Sequence, residues 1–254
     1  MNLKQQSSQK KRKGHFRKWH RRFGIAASVF LLNLAITGVL LNHYETLNLH
    51  KSYITSSWLL DWYGIKSPQS VNCYESKQAR ACRIGEQLYL NENYWQDSSA
   101  SILLFQEWQQ EQLLVTSSSI YWLTNDLQLI EALAFSDELG SMAVAANIIS
   151  NELIVETEEG DTYRFNTDFF GWEKTEILLH EKPQQTVDVS NDVQKDLRRH
   201  YRQRQITHLR FIQDLHSGTL FGLSGKIIND ITALIILWLV ISGFVTWYRR
   251  KNKR

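Results

Sequence analysis

Residues 24–42 read GIAASVFLLNLAITGVLLN, an uncharged stretch from Gly24 to Asn42. A helix needs about 20 apolar residues to cross the hydrocarbon core of a bilayer, so this segment alone points to a membrane span. Working outward, the residues before it are strongly basic: Lys4, Lys10, Lys11, Arg12, Lys13, Arg17, Lys18, Arg21 and Arg22. A second uncharged block, ITALIILWLVISGFVTWY, runs from Ile231 to Tyr248 and is followed by Arg249, Arg250, Lys251, Lys253 and Arg254. Trp247 and Tyr248 stand at its end, where aromatic rings favour the membrane interface. Basic runs also occur in nucleic-acid-binding or nuclear-import segments, but here each abuts an apolar block. That arrangement points to membrane anchors and to no nucleic-acid partner. A cleaved signal peptide is the competing reading of the first block; its apolar part is long, and His43, Tyr44 and Glu45 follow it in place of a small-residue cleavage site. Mean hydropathy over the 254 residues is only −0.35, because the apolar residues are concentrated near the two ends.

By the positive-inside rule the two basic ends lie in the cytoplasm, and the middle of the chain faces outward. The expected organisation is a basic tail (1–22), a first span (23–42), an outward β-rich domain (43–190), an amphipathic helix with a Gly-rich membrane-entry segment (191–230), a second span (231–248) and a basic tail (249–254). The fold class is membrane α + β, with the two spans completing a four-helix bundle if two copies pair. In the outward segment QLYL (87–90), SILLF (101–105), QLLVT (112–116), SIYWL (119–123), LQLIEAL (127–133), ELIVET (152–157) and DTYRFN (161–166) have strand composition and are separated by turn residues. Leu113-Leu114-Val115 with Tyr121-Trp122-Leu123 echoes Leu153-Ile154-Val155 with Tyr163-Arg164-Phe165. The offset is blade-like, but two copies do not make a propeller, and a small antiparallel sheet domain is expected. The acidic Glu156, Glu158, Glu159 and Asp161 read as solvated turn charge. Pro183 and its polar neighbours read as a linker. A helix then starts at Asp192, capped by Ser190 or Asn191, and Val193, Leu197, Tyr201, His208, Ile212 and Leu215 form one apolar stripe down to Gly218.

Cys73 and Cys82 are the only cysteines. In an oxidising compartment they read as a disulfide; the alternatives are two free thiols or half a metal site, and the C-x8-C spacing matches no zinc pattern. The chain carries no phosphate-binding glycine loop, G-x-G-x-x-G, G-x-S-x-G or H-E-x-x-H. Histidine placement is what remains. His20 lies just inside the first span and His43 just outside it, roughly 34 Å apart along a helix, so they cannot share one iron. His43 and His216 both belong near the outer face, where two imidazoles on packed helices suit axial ligation of a b-type haem. Gly38, Gly222, Gly225 and Gly243 would let a flat ring or a helix approach closely, and Asn33 in mid-span reads as helix–helix glue. The alternative is a hydrogen-bonded polar belt of interfacial histidines.

WHRRFGIAASVFLLNLAITGVLLNH (19–43) resembles the first-helix signature of the PepSY-associated transmembrane family. DLHSGTLFGLSGKIINDITALIILWLVISGFVTWYRR (214–250) is similar to its other signature, and WLLDWYGI (58–65) resembles the segment after the first helix. The resemblance touches His20 and His216 directly. It implies an iron-uptake protein of the bacterial inner membrane, similar to haem-containing ferric siderophore reductases. On that footing His43, His216 and His20 are expected to bind haem b, with haem iron held by His43 and His216. Expected partners are the membrane, a second copy (a homodimer), ferric iron or a ferric chelate, a separate electron donor (a quinol or a cytoplasmic reductase) and a ferrous iron transporter. The chain departs from larger members in having two spans, and its middle lacks a clear match to the usual PepSY module. A non-enzymatic anchored module that binds a transporter or an envelope partner is the second reading.

Overall fold

The computed structural model describes residues 3–252 except 78, 169, 178 and 180–183, with side chains described for 18–248, 251 and 252 of these. Lys4 to Arg17, Arg249, Arg250, Lys253 and Arg254 have side chains outside that set, as does the linker residue Pro183. The helices are α1 (Leu3–Asn42), α2 (Ser57–Trp62), α3 (Phe135–Glu138), α4 (Asn191–Gln203), α5 (His208–Ser217) and α6 (Gly222–Lys251). The chain folds as two compact units, Ser57–Gln203 and a unit made of Met1–Ser56 with Arg204–Arg254.

The Ser57–Gln203 unit holds three four-stranded antiparallel sheets. The first contains β1 (Asn72–Glu75), β2 (Arg80–Ile84), β3 (Gln87–Leu90) and β4 (Asn93–Asp97). The second contains β5 (Ile102–Trp108), β6 (Glu111–Thr116), β7 (Ser119–Leu123) and β8 (Leu129–Ala134). The third contains β9 (Ala143–Ile149), β10 (Glu152–Thr157), β11 (Thr162–Asn166) and β12 (Gly171–Thr175). Each is a meander in strict chain order, and the first strands lie side by side, β5 between β1 and β9. The sequence shows only two of these repeats; the structure has a third, blade-like sheet built from 72–97.

Sheets stacked face to face bury both faces of their middle strands, which is why those strands read as unbroken apolar runs. Leu113, Leu114 and Val115 of β6, and Leu153, Ile154 and Val155 of β10, are fully buried. Each such side chain contributes roughly 1.5–3 kcal/mol relative to an exposed one. The outermost strand β8 has no covering sheet, and Leu129 and Ile130 stay exposed. Three hairpins turn on paired residues with positive φ, none of them glycine: Asn91-Glu92, Gln109-Gln110 and Ser150-Asn151. Two successive positive-φ residues match the twist of the flanking strands, as a type I′ turn does. Cys73 and Cys82 sit directly opposite each other in β1 and β2 and form a disulfide. Leu197 of α4, fully buried, packs with that disulfide, and Val193 and Tyr201 flank it.

In the other unit, Lys18–Asn42 and Thr219–Tyr248 are long and apolar enough to cross a membrane. They run antiparallel: Phe23 meets Trp238 edge-on at 6.1 Å, His20 lies beside Ser242, and Asn33 shares a groove with Asn229. Small side chains are the buried ones here: Ala27 and Thr37 of α1 and Thr232 of α6. The second membrane helix starts at Gly222, nine residues before the apolar block, so Lys226, Asn229 and Asp230 belong to it.

The single amphipathic helix expected from Asp192 to Gly218 is two helices. The break has a cause in the backbone. Ile54 N–H donates to Ile206 O at 2.9 Å, Tyr53 bridges to Thr207, and Thr207 Oγ1 accepts from Arg210 N–H to cap α5. The first amides of α5 are met by Ser52 O and Leu49 O. These pairings satisfy groups that a continuous helix would have used.

Candidate functional site

The site is built around the end of α5. A helix leaves its last carbonyls without partners, and α5 ends beside the last turns of α1, at Asn33 and Thr37. Two asparagines supply the missing donors: Asn33 Nδ2 donates to Leu215 O at 3.4 Å, and Asn229 Nδ2 donates to His216 O at 3.3 Å. Asn33 is therefore glue of a specific kind, a side-chain cap for a neighbouring helix. Gly218 then takes the left-handed conformation at φ 78° and turns the chain into a short 3-10 turn, Thr219–Phe221. A Cβ on Gly225 would stand 2.0 Å from Gly218 O, and one on Gly218 would stand 2.5 Å from Gly225 O. The turn closes because both residues lack a side chain. Of the four glycines expected at close approaches, Gly225 is at one, and a Cβ on Gly38 would lie 3.9 Å from the His216 ring. A Cβ on Gly222 or Gly243 would meet nothing within 4 Å.

A polar network braces the turn. The buried Asp214 carboxylate accepts from Thr219 Oγ1 at 2.6 Å and from Arg210 Nε at 3.0 Å. Ser217 Oγ and Thr219 Oγ1 lie 2.8 Å apart.

His216 is half-buried, with Nδ1 2.7 Å from Thr37 Oγ1. The Thr37 hydroxyl has one proton, which it donates to Asn33 O at 2.6 Å. In that arrangement the hydroxyl is free to accept from an Nδ1–H of His216, the tautomer that leaves the lone pair on Nε2. The same device recurs at the other end of the helix pair. Ser242 Oγ donates to Leu239 O at 3.0 Å and lies 3.3 Å from His20 Nδ1, while the His20 ring lies 5.9 Å from that of Trp238. Seventeen residues of α1 separate Thr37 from His20, roughly 26 Å of rise. His43 lies just past the end of α1, exposed, and no hydrogen bond or ring contact joins it to His216 among the described residues.

A groove of about 400 Å³ opens beside this turn. Val29, Phe30, Phe221 and Ile228 form apolar walls; Asn33, Ser224 and Asn229 bring polar atoms to it. Thr37, Ser242, Asn229 and Asp214 were missed as site residues in the sequence. Their signal was faint: isolated hydroxyl, amide and carboxyl residues within or just before the apolar blocks.

An antiparallel pair of apolar helices with a β-sheet unit between them in the chain defines a two-span membrane protein whose polar core lies within the helix pair. The chain belongs to the family described as the PepSY-associated TM region, whose model matches residues 2–250. No curated protein matches it. Among solved structures, a complex of S. cerevisiae Dbp5 with Nup159, Gle1, IP6 and ADP aligns at 11% identity and TM-score 0.31, covering 51% of this chain and 38% of that one. HIRA(644–1017) aligns at 12% identity and TM-score 0.28, covering 70% and 65%. The chain thus spans less than two thirds of the length of either, and similarity at that level carries no argument about function.

Proposed function

We propose that this membrane protein is an electron-transfer protein of the bacterial inner membrane that holds haem b and reduces ferric iron or a ferric chelate at the periplasmic face. The observation that carries the proposal is the repeated hydroxyl-to-imidazole contact. Metal-bound histidines commonly donate their second ring N–H to a partner that fixes the tautomer. Thr37 stands where it would play that part for His216, and Ser242 where it would do so for His20, near opposite ends of the helix pair. A b-type haem needs axial nitrogen lone pairs and apolar walls, which the imidazoles and the apolar side chains of the helix pair would supply. In this reading His216 and His43 hold haem iron on the outer side, within one chain or across a homodimer, and His20 holds an inner haem between two copies. Bound haem would supply a one-electron carrier.

The chain's own residues do the rest. Thr37 keeps the His216 lone pair on Nε2, and the exposed His43 is available to a second ligand position. The Trp238 ring packs beside His20, with Phe23 edge-on to it. Because α1 and α6 are antiparallel, both basic ends lie on one side, which the positive-inside rule makes the cytoplasm. The sheet unit is then periplasmic, a compartment that suits the Cys73–Cys82 disulfide. With no nucleotide-binding motif in the sequence, the electron donor is a separate quinol or reductase, and a ferrous transporter takes the product.

An absorption spectrum of detergent-purified protein from haem-supplied cells tests this. A Soret band, with α and β bands that sharpen on dithionite reduction, is the expected result. Colourless protein would overturn the reading and favour an anchored binding module.

A further inference from the structure

The groove beside the α5–α6 turn has a chemistry of its own. Asn33 and Asn229 each direct an amide N–H to a carbonyl at the end of α5, which leaves their Oδ1 atoms as acceptors. Neither oxygen meets a donor among the described residues, and both side chains line the groove. The Ser224 hydroxyl is a third polar group on the same wall. Asn33 lies nine residues from Asn42, the end of its span, about 14 Å along the helix; Asn229, two residues before the uncharged block 231–248, lines the same groove. Unpaired acceptors inside a bilayer are costly, because hydrocarbon supplies no donors.

The walls are apolar, and Val29, Phe221 and Ile228 are also exposed where lipid would lie. The occupant must therefore be lipophilic, enter from the bilayer, bring hydroxyl donors to two acceptors on facing helices, and leave a tail among the lipids. The volume of about 400 Å³ is within the range of small-molecule clefts. We propose that this groove binds the head ring of a membrane hydroquinone, whose two O–H groups donate to Asn33 Oδ1 and Asn229 Oδ1. Asn229 also holds the His216 carbonyl, so the ring would sit beside the backbone of the proposed ligand. The choice of occupant rests on the electron-transfer reading and names the class of its donor.

The test uses full-length protein in lipid nanodiscs with tritiated decylubiquinol under anaerobic conditions, with the haem spectrum recorded on the same samples. Saturable binding is expected. Ile228→Trp and, independently, Val29→Trp fill the groove from opposite walls without touching either amide. Each should weaken binding by about tenfold or more while leaving the Soret band and the far-ultraviolet circular dichroism unchanged. The absence of saturable binding, or binding unaltered in both folded variants, would overturn the inference. So would a disulfide between two copies at Ile228→Cys that forms whether or not decylubiquinol is present, since the groove would then be a dimer contact. Coloured protein that binds no decylubiquinol sinks this inference alone; colourless protein that binds it through these residues sinks the haem reading alone.

Discussion

Replacing Thr37 by valine exchanges one oxygen for a methyl group and changes almost no volume at a side chain that is 3% exposed. What it removes is the acceptor 2.7 Å from His216 Nδ1. Leaving a partly buried donor without a partner costs about 1–3 kcal/mol. The same bond considered as support for a metal ligand is worth about 10–100-fold in affinity. At 1.4 kcal/mol per tenfold that is roughly 1.4–2.8 kcal/mol, so two independent routes agree. Thr37→Val should therefore speed loss of haem to an apomyoglobin acceptor by about 10–100-fold, followed as the decay of the Soret band. Thr37→Ser keeps the hydroxyl and should stay close to the parent rate. Nitrogen-15 spectra of labelled histidine should show the Nδ1–H tautomer at His216 in the parent and a mixture in Thr37→Val. An Nε2–H tautomer in the parent protein, or equal haem loss from the valine and serine variants, would refute the tautomer argument.

Gly225→Ala must push a methyl group into Gly218 O and should cost at least about 1–3 kcal/mol, seen as a lower thermal midpoint in detergent. Gly243→Ala, with nothing within 4 Å, is the matched control and should leave it unchanged. Asp214→Asn weakens the brace on Thr219 and Arg210, and hydrogen exchange at residues 217–222 should quicken while the sheet unit is unaffected. Reduction of Cys73–Cys82, or Cys73→Ser, should cost the sheet unit about 2–3 kcal/mol on the chain-entropy account, read from urea unfolding with and without reductant. The Arg164 guanidinium, with help from Asn166, holds the Glu173 carboxyl below its ordinary range. Its contribution is therefore complete above that range and is lost as pH falls through the lowered value. Arg164→Ala should raise the Glu173 titration midpoint, measured by carboxyl carbon-13 shifts, and remove that part of the acid dependence.

The spans were legible in the sequence because lipid imposes a one-dimensional rule: a run of uncharged residues long enough to cross the core declares itself without any partner. The strands of the sheet unit were legible where one strand is covered on both faces, as in QLLVT and ELIVET. Of the sheet formed by residues 72–97 only QLYL of β3, buried throughout, was legible; its neighbours are short and more polar (NYWQD of β4 is half-exposed or exposed throughout) and gain their order from pairing. The hairpin turns at Gln109-Gln110 and Ser150-Asn151 carry no glycine, so their left-handed backbone could not be read from composition.

His20, His43 and His216 stood out by position, and the family signatures touch His20 and His216. Their surroundings did not stand out. Thr37 and His216 are 179 positions apart, and Ser242 and His20 are 222 apart, so only tertiary packing brings each hydroxyl to its ring. The break between α4 and α5 was hidden for a related reason. The apolar stripe keeps helical spacing through residues 204–207, yet Tyr53 and Ile54, distant in sequence, take up the backbone groups there. The sequence by itself determined what crosses the membrane, which segments form sheet and which histidines to examine. Tertiary structure alone decided which hydroxyl meets the His216 and His20 rings and which asparagines line the groove. Those choices depend on hydrogen bonds between elements, and a local pattern of residues does not encode them.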